Sequence, residues 1–353
     1  MVIQETPTTL EQMQAQQVES PQRVRGGIRF DWAFTLACCW FIGGLHLDGW
    51  AHNHIPALET FITPWHAVLY SGYGAIAAVL AVTLVRNHAR GHPWRRALAP
   101  GYEVSLVGVA LFAVGGVLDM IWHILFGIER SVEALLSPTH LLLATSGVLM
   151  VSGPLRAAWQ RLPARSDLTW GTGLPALLSL SIVAAVLAFF TQFAHPFVDN
   201  WASTNVDPSV VSPFFDQALG ITSILLQTAI LMGVVLLLVR RWAPPFGALA
   251  LIFTLVTILI SFMHDQYSRI LLALVAGLIA DLLLRLLTPS AEHPAALRIF
   301  AFAVPTILYG LYFVGMIVDG GGSGWSVHLW AGSAVMAGIV GVLLSYLVVP
   351  PQP

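Results

Sequence analysis

The polar positions of this chain come in short clusters, and between the clusters almost every residue is apolar for long distances. A helix that crosses a bilayer needs about 20 mostly apolar residues. Ten such runs follow one another, near residues 30–50, 62–86, 101–125, 138–157, 171–194, 214–240, 246–264, 267–287, 297–318 and 326–349. In lipid the backbone must satisfy its hydrogen bonds within the segment, so each run predicts a helix. The expected fold class is all-α, a polytopic integral membrane bundle. The polar, Gln-rich start lacks an apolar core and so is not a cleavable signal. Residues 1–28 are read as a disordered cytoplasmic tail, 29–157 as a four-helix unit and 158–353 as a six-helix unit.

Composition agrees with that pattern. Of 353 residues 57% are hydrophobic and 10% charged, where a soluble domain carries about a quarter charged. Every basic residue is Arg, and the formal net charge is -2. No basic stripe exists to meet phosphates, which argues against nucleic acid as a partner. The only cysteines, Cys38 and Cys39, are adjacent within an apolar run and cannot staple distant segments. They read as small apolar residues, with soft copper ligation as the minor alternative.

Arginine sets the expected orientation, because cytoplasmic loops carry the excess of basic residues. Arg23, Arg25 and Arg29 precede the first run; Arg86, Arg90, Arg95 and Arg96 follow the second. Arg156, Arg161 and Arg165 follow the fourth, Arg240 and Arg241 the sixth, and Arg285 and Arg298 flank the loop after the eighth. The alternate loops hold only Arg130 and Arg269. Both termini are therefore expected in the cytoplasm of a cell whose inner membrane holds the protein. Histidine follows the opposite rule: His46, His52, His54, His66, His123, His140, His195, His264 and His328 fall at outer ends or in outer loops. Only His88, His92 and His293 fall inside. This asymmetry points to chemistry near the extracytoplasmic face.

Two of the outer stretches repeat one text. Gly43 to His66 reads GGLHLDGWAHNHIPALETFITPWH, and Gly115 to His140 reads GGVLDMIWHILFGIERSVEALLSPTH. Each holds Gly-Gly, then Asp-x-x-x-His, then Glu-x-x-x-x-Pro-x-His, and the second connector is three residues longer. Asp and His four positions apart share one helix face. Proline two residues before the last His suits the first turn of a returning helix. Each hairpin thus presents a carboxylate and two imidazoles: Asp48, His52 and His66, then Asp119, His123 and His140. Such an O/N/N set suits Cu(II), zinc or Fe(II), with geometry choosing among them. Glu59 and Glu133 are the candidate catalytic residues, as orienters of the ligands or proton carriers. His46 and His54 have no counterparts in the second copy and read as bystanders.

These residues resemble the C subunit of the copper membrane monooxygenases, which oxidise methane, ammonia or short hydrocarbons. That family carries membrane copper sites on successive hairpins, one Asp-x-x-x-His and one Asn-x-x-x-His, with the Glu-x-x-x-x-Pro-x-His tail in the Asn type. The first copy here, with Trp50 and thirteen residues between His52 and His66, is similar to the Asn type; the second, with Asp119, Trp122 and His123, to the Asp type. The chain departs from the family in having Asp48 for Asn, and sixteen residues rather than twelve between His123 and His140. The resemblance covers about residues 40–150 and implies copper, O₂, a small apolar substrate, companion membrane subunits and an oligomer.

The second half carries isolated candidates. His195 and Asp199 flank a stretch that Pro196 keeps from being a regular helix. His264 and Asp265 end the seventh run, and Asp319 and His328 flank the GGGSGW loop. Together these could line the outer mouth of the same cavity. Asp281 and Arg285, four apart, predict an intrahelical pair. Neither a Walker-type or dinucleotide loop nor a serine nucleophile elbow occurs. Three functions remain in view: a copper oxygenase-like oxidoreductase, a copper or zinc uptake or metal-handling protein, and an intramembrane zinc-dependent lipid hydrolase.

Overall fold

The computed structural model describes residues 24, 26–55, 63–127, 129, 131–203, 213–318 and 321–351. The expected N-terminal tail up to residue 23, Glu59, Arg130 and Asp319 lie outside the described residues. Helices dominate the rest, and no strand occurs among the described residues beyond two isolated bridges. In chain order they are α1 (Ile28–His54), α2 (Pro64–Ala89), α3 (Glu103–Phe126), the short α4 (Glu133–Leu136), α5 (Pro138–Val151) and α6 (Gly153–Arg161). There follow α7 (Trp170–Phe190), α8 (Pro213–Arg241), α9 (Ala248–His264), α10 (Ser268–Leu287), α11 (Pro294–Val318) and α12 (Val327–Val348).

Among the described residues nine helical segments are long and apolar enough to cross a membrane, α5 and α6 together counting as one. The remaining run forms α9, with 17 residues, at the short end of what spans a bilayer. The all-α, multi-pass membrane bundle is thus observed. The fourth run is interrupted at Ser152, just before Gly153 and Pro154. Proline lacks the N–H that would continue the ladder, so the helix restarts there.

Two buried apolar clusters organise the bundle. One gathers Phe34, Phe41, Ile76, Leu80, Phe112 and Met150 around the two N-terminal hairpins. The other gathers Leu177, Trp242, Phe253, Phe300 and Phe313 in the second half. Helix α7 contributes to both, Ile182 and Val186 to the first and Leu177 and Leu180 to the second.

Close approach within the first hairpin depends on glycine. A Cβ on Gly44 would sit 2.6 Å from the Leu69 Cα, and one on Gly72 equally close to that of Phe41. The α1–α2 seam therefore admits no side chain at either place, a common device for bringing membrane helices together. The second hairpin, α3 with α5, joins the first through Phe112, which packs against Phe41 at 5.3 Å and stacks on Tyr73 at 5.0 Å. Tyr73 also donates to the Val109 carbonyl at 3.0 Å.

Asp281 corrects one expectation. Rather than being occupied by Arg285 one turn along its own helix, its carboxylate accepts from the Leu249 N–H at 3.1 Å and the Ala250 N–H at 2.9 Å. It caps the N-terminus of α9 from the neighbouring α10. Gly277 permits the approach, since a Cβ there would meet the Ala250 Cα at 2.5 Å. At the same end of the bundle, Asp31 is paired with Arg161 at 2.6 Å and accepts from the Tyr102 hydroxyl at 2.7 Å.

Candidate metal centre

Both repeats close into a triad. Asp48, His52 and His66 each bring one ligand atom to within 4.8 Å of the others, and Asp119, His123 and His140 do the same. The physical route is the same in both. The last turns of α1 and α3 carry Asp and His on one face, and the first turns of α2 and α5 return the second His. In the first triad, His66 Nε2 lies 3.3 Å and His52 Nε2 3.7 Å from Asp48 Oδ2. In the second, His123 Nε2 is 3.3 Å from Asp119 Oδ2 and His140 Nε2 3.5 Å from Asp119 Oδ1.

The returning histidines are oriented by an atom that the repeat alone did not single out. Thr63 and Ser137 each precede the helical proline and act as N-caps, accepting from the backbone N–H of His66 and His140. The same hydroxyls bond the imidazole Nδ1, at 3.1 Å for His66 and 2.7 Å for His140. Nδ1 is thereby occupied and Nε2 turned inward, the arrangement a metal-bound imidazole needs. The sequence signal was present as Ser/Thr-Pro-x-His, a capping residue ahead of Pro at N1.

His123 has a further partner. Its Nδ1 faces the Gly127 carbonyl at 3.3 Å and Glu129 Oε2 at 3.0 Å. Glu129 approaches off the line of a well-formed hydrogen bond, and both its oxygens count as otherwise unpartnered, so its influence is chiefly that of charge. Glu133, the residue expected behind this triad, is exposed at the start of α4. The reason is local: Gly127, at φ +86, ends α3 and turns the chain so that Glu129 comes back beneath His123. The Asp119 carboxylate also accepts from Thr139 at 2.7 Å.

The two triads differ in access and are not independent. The His52 side chain is 45% exposed, against 15% for His123. His52 lies within electrostatic reach of both His123 and His140. Tyr70, on α2, feels both Asp48 and Asp119. Its hydroxyl passes over Gly116 on α3, where a Cβ would stand 3.4 Å away.

The donor set fits a metal ion on the residues' own evidence. One oxygen of Asp48, Oδ1, is buried without a hydrogen-bond partner, a costly state for a carboxylate unless a cation compensates it. Each triad supplies one carboxylate oxygen and two imidazole nitrogens.

The other candidates lie elsewhere. His46 is buried, bonded to the Ile42 carbonyl at 3.0 Å and edge-on to Phe189. His54 stacks on Trp50 and pairs with Asp265 at 2.8 Å, tying α1 to the end of α9. That contact and the Tyr267 hydroxyl hold the Asp265 carboxyl below its usual range. His264 bonds Gln192 at 2.7 Å, and His328 is exposed. His195 lines a cavity in the second half to which neither triad contributes a residue. Cys38 is buried, Cys39 is exposed, and neither joins a triad.

Comparison with family models, with curated proteins and with solved structures finds no match to this chain.

Proposed function

We propose that the two triads are metal sites of a membrane oxidoreductase, with copper the metal and O₂ and a small apolar molecule the substrates. The observation that carries this reading is the convergence of two Nε2 atoms and a carboxylate in each hairpin, with Nδ1 of the returning His held by an N-cap hydroxyl. The resemblance of residues 40–150 to the C subunit of copper membrane monooxygenases supplies the metal and the reaction class. Bound copper would supply the redox chemistry that activates O₂ at a coordination position the protein leaves open.

The chain's own residues do the rest. Asp48 and Asp119 bring negative charge that offsets a cation in an apolar setting. Thr63 and Ser137 keep the imidazoles aimed. Glu129 sets a carboxylate against the Nδ1 of His123. Apolar side chains exposed along α3, among them Ile121, Ile124 and Leu125, let a hydrocarbon-like substrate approach from the bilayer. The arginine distribution supports an orientation with the triads near the extracytoplasmic face and the termini inside. Electrons and companion subunits come from outside this chain.

One observation favours metal uptake as a second reading: the exposure of His52 opens the first triad to its surroundings. Against it, no further His/Cys/Asp/Glu group able to hold an ion continues from the triads among the described residues.

Metal analysis of the purified protein decides. Two equivalents of copper, with a nitrogen- and oxygen-ligated EPR signal, are expected. His123→Ala and His140→Ala should each remove one equivalent, and His66→Ala the other. An unchanged count in these variants overturns the assignment. Zinc in place of copper would remove the oxidase reading, and ion flux into proteoliposomes would establish uptake.

A further inference from the structure

The second half of the molecule contains a cavity that involves neither triad. Residues of α7, α8, α9, α10 and α11 and of the segment after α7 line it, and its free volume is about 50 Å³. A single water needs roughly 10–15 Å³ on the same measure, so the space accommodates several linked heavy atoms. Most of the wall is apolar, including Ala188, Leu231, Phe253, Val256 and Leu308. His195 and Gln227 also line it, and each is 7% exposed.

The surrounding backbone fixes what these two groups offer. The Phe197 N–H donates to His195 Nδ1 at 3.1 Å. A ring nitrogen that accepts carries no proton, so the neutral imidazole presents Nε2–H as a donor. Burial first, and His264 second, push the His195 pKa down to about 3, which keeps the ring neutral. The Gln227 Nε2 donates to Thr191 Oγ1 at 3.0 Å and to the Ala194 carbonyl at 2.9 Å. A carbonyl partner cannot donate, so the amide is not interchangeable end for end, and Oε1 is the atom left to accept. The other large polar group of the wall, Tyr309, is engaged with Thr228.

We propose that this cavity binds a short uncharged alcohol. The alkyl chain lies along the apolar wall, the hydroxyl oxygen accepts from His195 Nε2–H, and the hydroxyl proton is donated to Gln227 Oε1. Related molecules match less well. A hydrocarbon leaves both polar atoms unmatched, and leaving a buried donor or acceptor without a partner is unfavourable. A ketone or ether satisfies the donor alone. A carboxylate or an ammonium ion meets no opposite charge, because no charged residue lines the cavity. The inference is independent of the metal reading, since neither triad contributes to the wall.

The test is photolabelling of the full chain, carrying whatever metal it purifies with, by a diazirine-bearing butanol. Adducts are mapped by mass spectrometry. Saturable adducts are expected on cavity residues such as Phe197 and Tyr309, displaced by n-butanol but not by butyrate or butylammonium. Gln227→Leu should lower labelling there by about tenfold, the equivalent of one hydrogen bond lost. Leu231→Trp, which fills the space, should abolish it, while adducts on the lipid-facing side of α3 persist in both. Variants are scored when they melt as the parent does; His195→Asn replaces either one that does not. Non-saturable labelling, labelling confined to lipid-facing helices, or cavity labelling unchanged in the folded variants would overturn the proposal.

Discussion

Ser137 caps the helix that carries His140, and the same hydroxyl holds the Nδ1 of that histidine at 2.7 Å. One oxygen thus couples the start of a helix to the aim of a ligand, and Thr63 repeats the device for His66. Ser137→Ala should cost about 1 kcal/mol of stability, as a lost N-cap does. It should also weaken metal binding at the second site by about 10- to 100-fold, as loss of a hydrogen bond behind a ligating imidazole does. Chelator competition measures the affinity and thermal melting the stability, and Ser137→Thr should restore both. Lower stability with unchanged affinity would reduce Ser137 to a cap.

Glu129 and Glu133 stand four residues apart and should behave differently. Glu129→Gln removes the charge beside His123 and should weaken the second site by about tenfold or more. The first site should be unaffected. Glu133→Gln changes an exposed carboxylate and should leave both sites as they are. Titration of each variant with copper, one site being silenced by His66→Ala or His140→Ala, separates the two effects. A reversed order would restore Glu133 to the role its place in the repeat suggests.

Asp281 anchors the N-terminus of α9. Asp281→Ala leaves the Leu249 and Ala250 N–H groups of α9 without their partner. Hydrogen bonds to a charged group contribute about 1.5–3 kcal/mol each, so a loss of about 3 kcal/mol or more is expected. Asp281→Asn, which keeps an acceptor, should lose less, and metal content should not change in either. Full stability in Asp281→Ala would refute the capping role.

His195 makes the second half sensitive to acid. Its folded pKa of about 3 lies below the ordinary 6.5. The unfolded chain therefore takes up the proton first as pH falls. The contribution of the neutral ring is complete above the ordinary value and drains away as pH drops toward the folded one. Thermal melting followed from about pH 7 to about pH 4 should show a fall in Tm that flattens in His195→Asn. Identical slopes in parent and variant would remove His195 from the acid response.

The spacing of Asp48 to His52 and of Asp119 to His123 already implied a shared helix face, because four residues come close to one helical turn. The proline before His66 and His140 likewise announced the returning helix. Both are local facts, carried by a few neighbouring residues and the geometry of one turn. Glu129 was not legible in that way. The connector between α3 and α5 has no period, and the left-handed Gly127 decides which carboxylate returns to His123.

By itself the sequence determined that the chain is a helical membrane bundle and that two hairpins offer one carboxylate and two histidines each. Apolar runs and helical periodicity are properties of contiguous residues, and lipid leaves them few alternatives. Only the tertiary structure decided that Tyr70 stands within electrostatic reach of both triads, that Asp281 serves α9, and that His195 and Gln227 line one cavity. Asp281 reaches a helix 31 residues away, and His195 and Gln227 stand 32 apart, since 227 − 195 = 32. Such pairings arise from how close glycines let helices approach and which side chains fill the seams, and no local pattern along the chain encodes them.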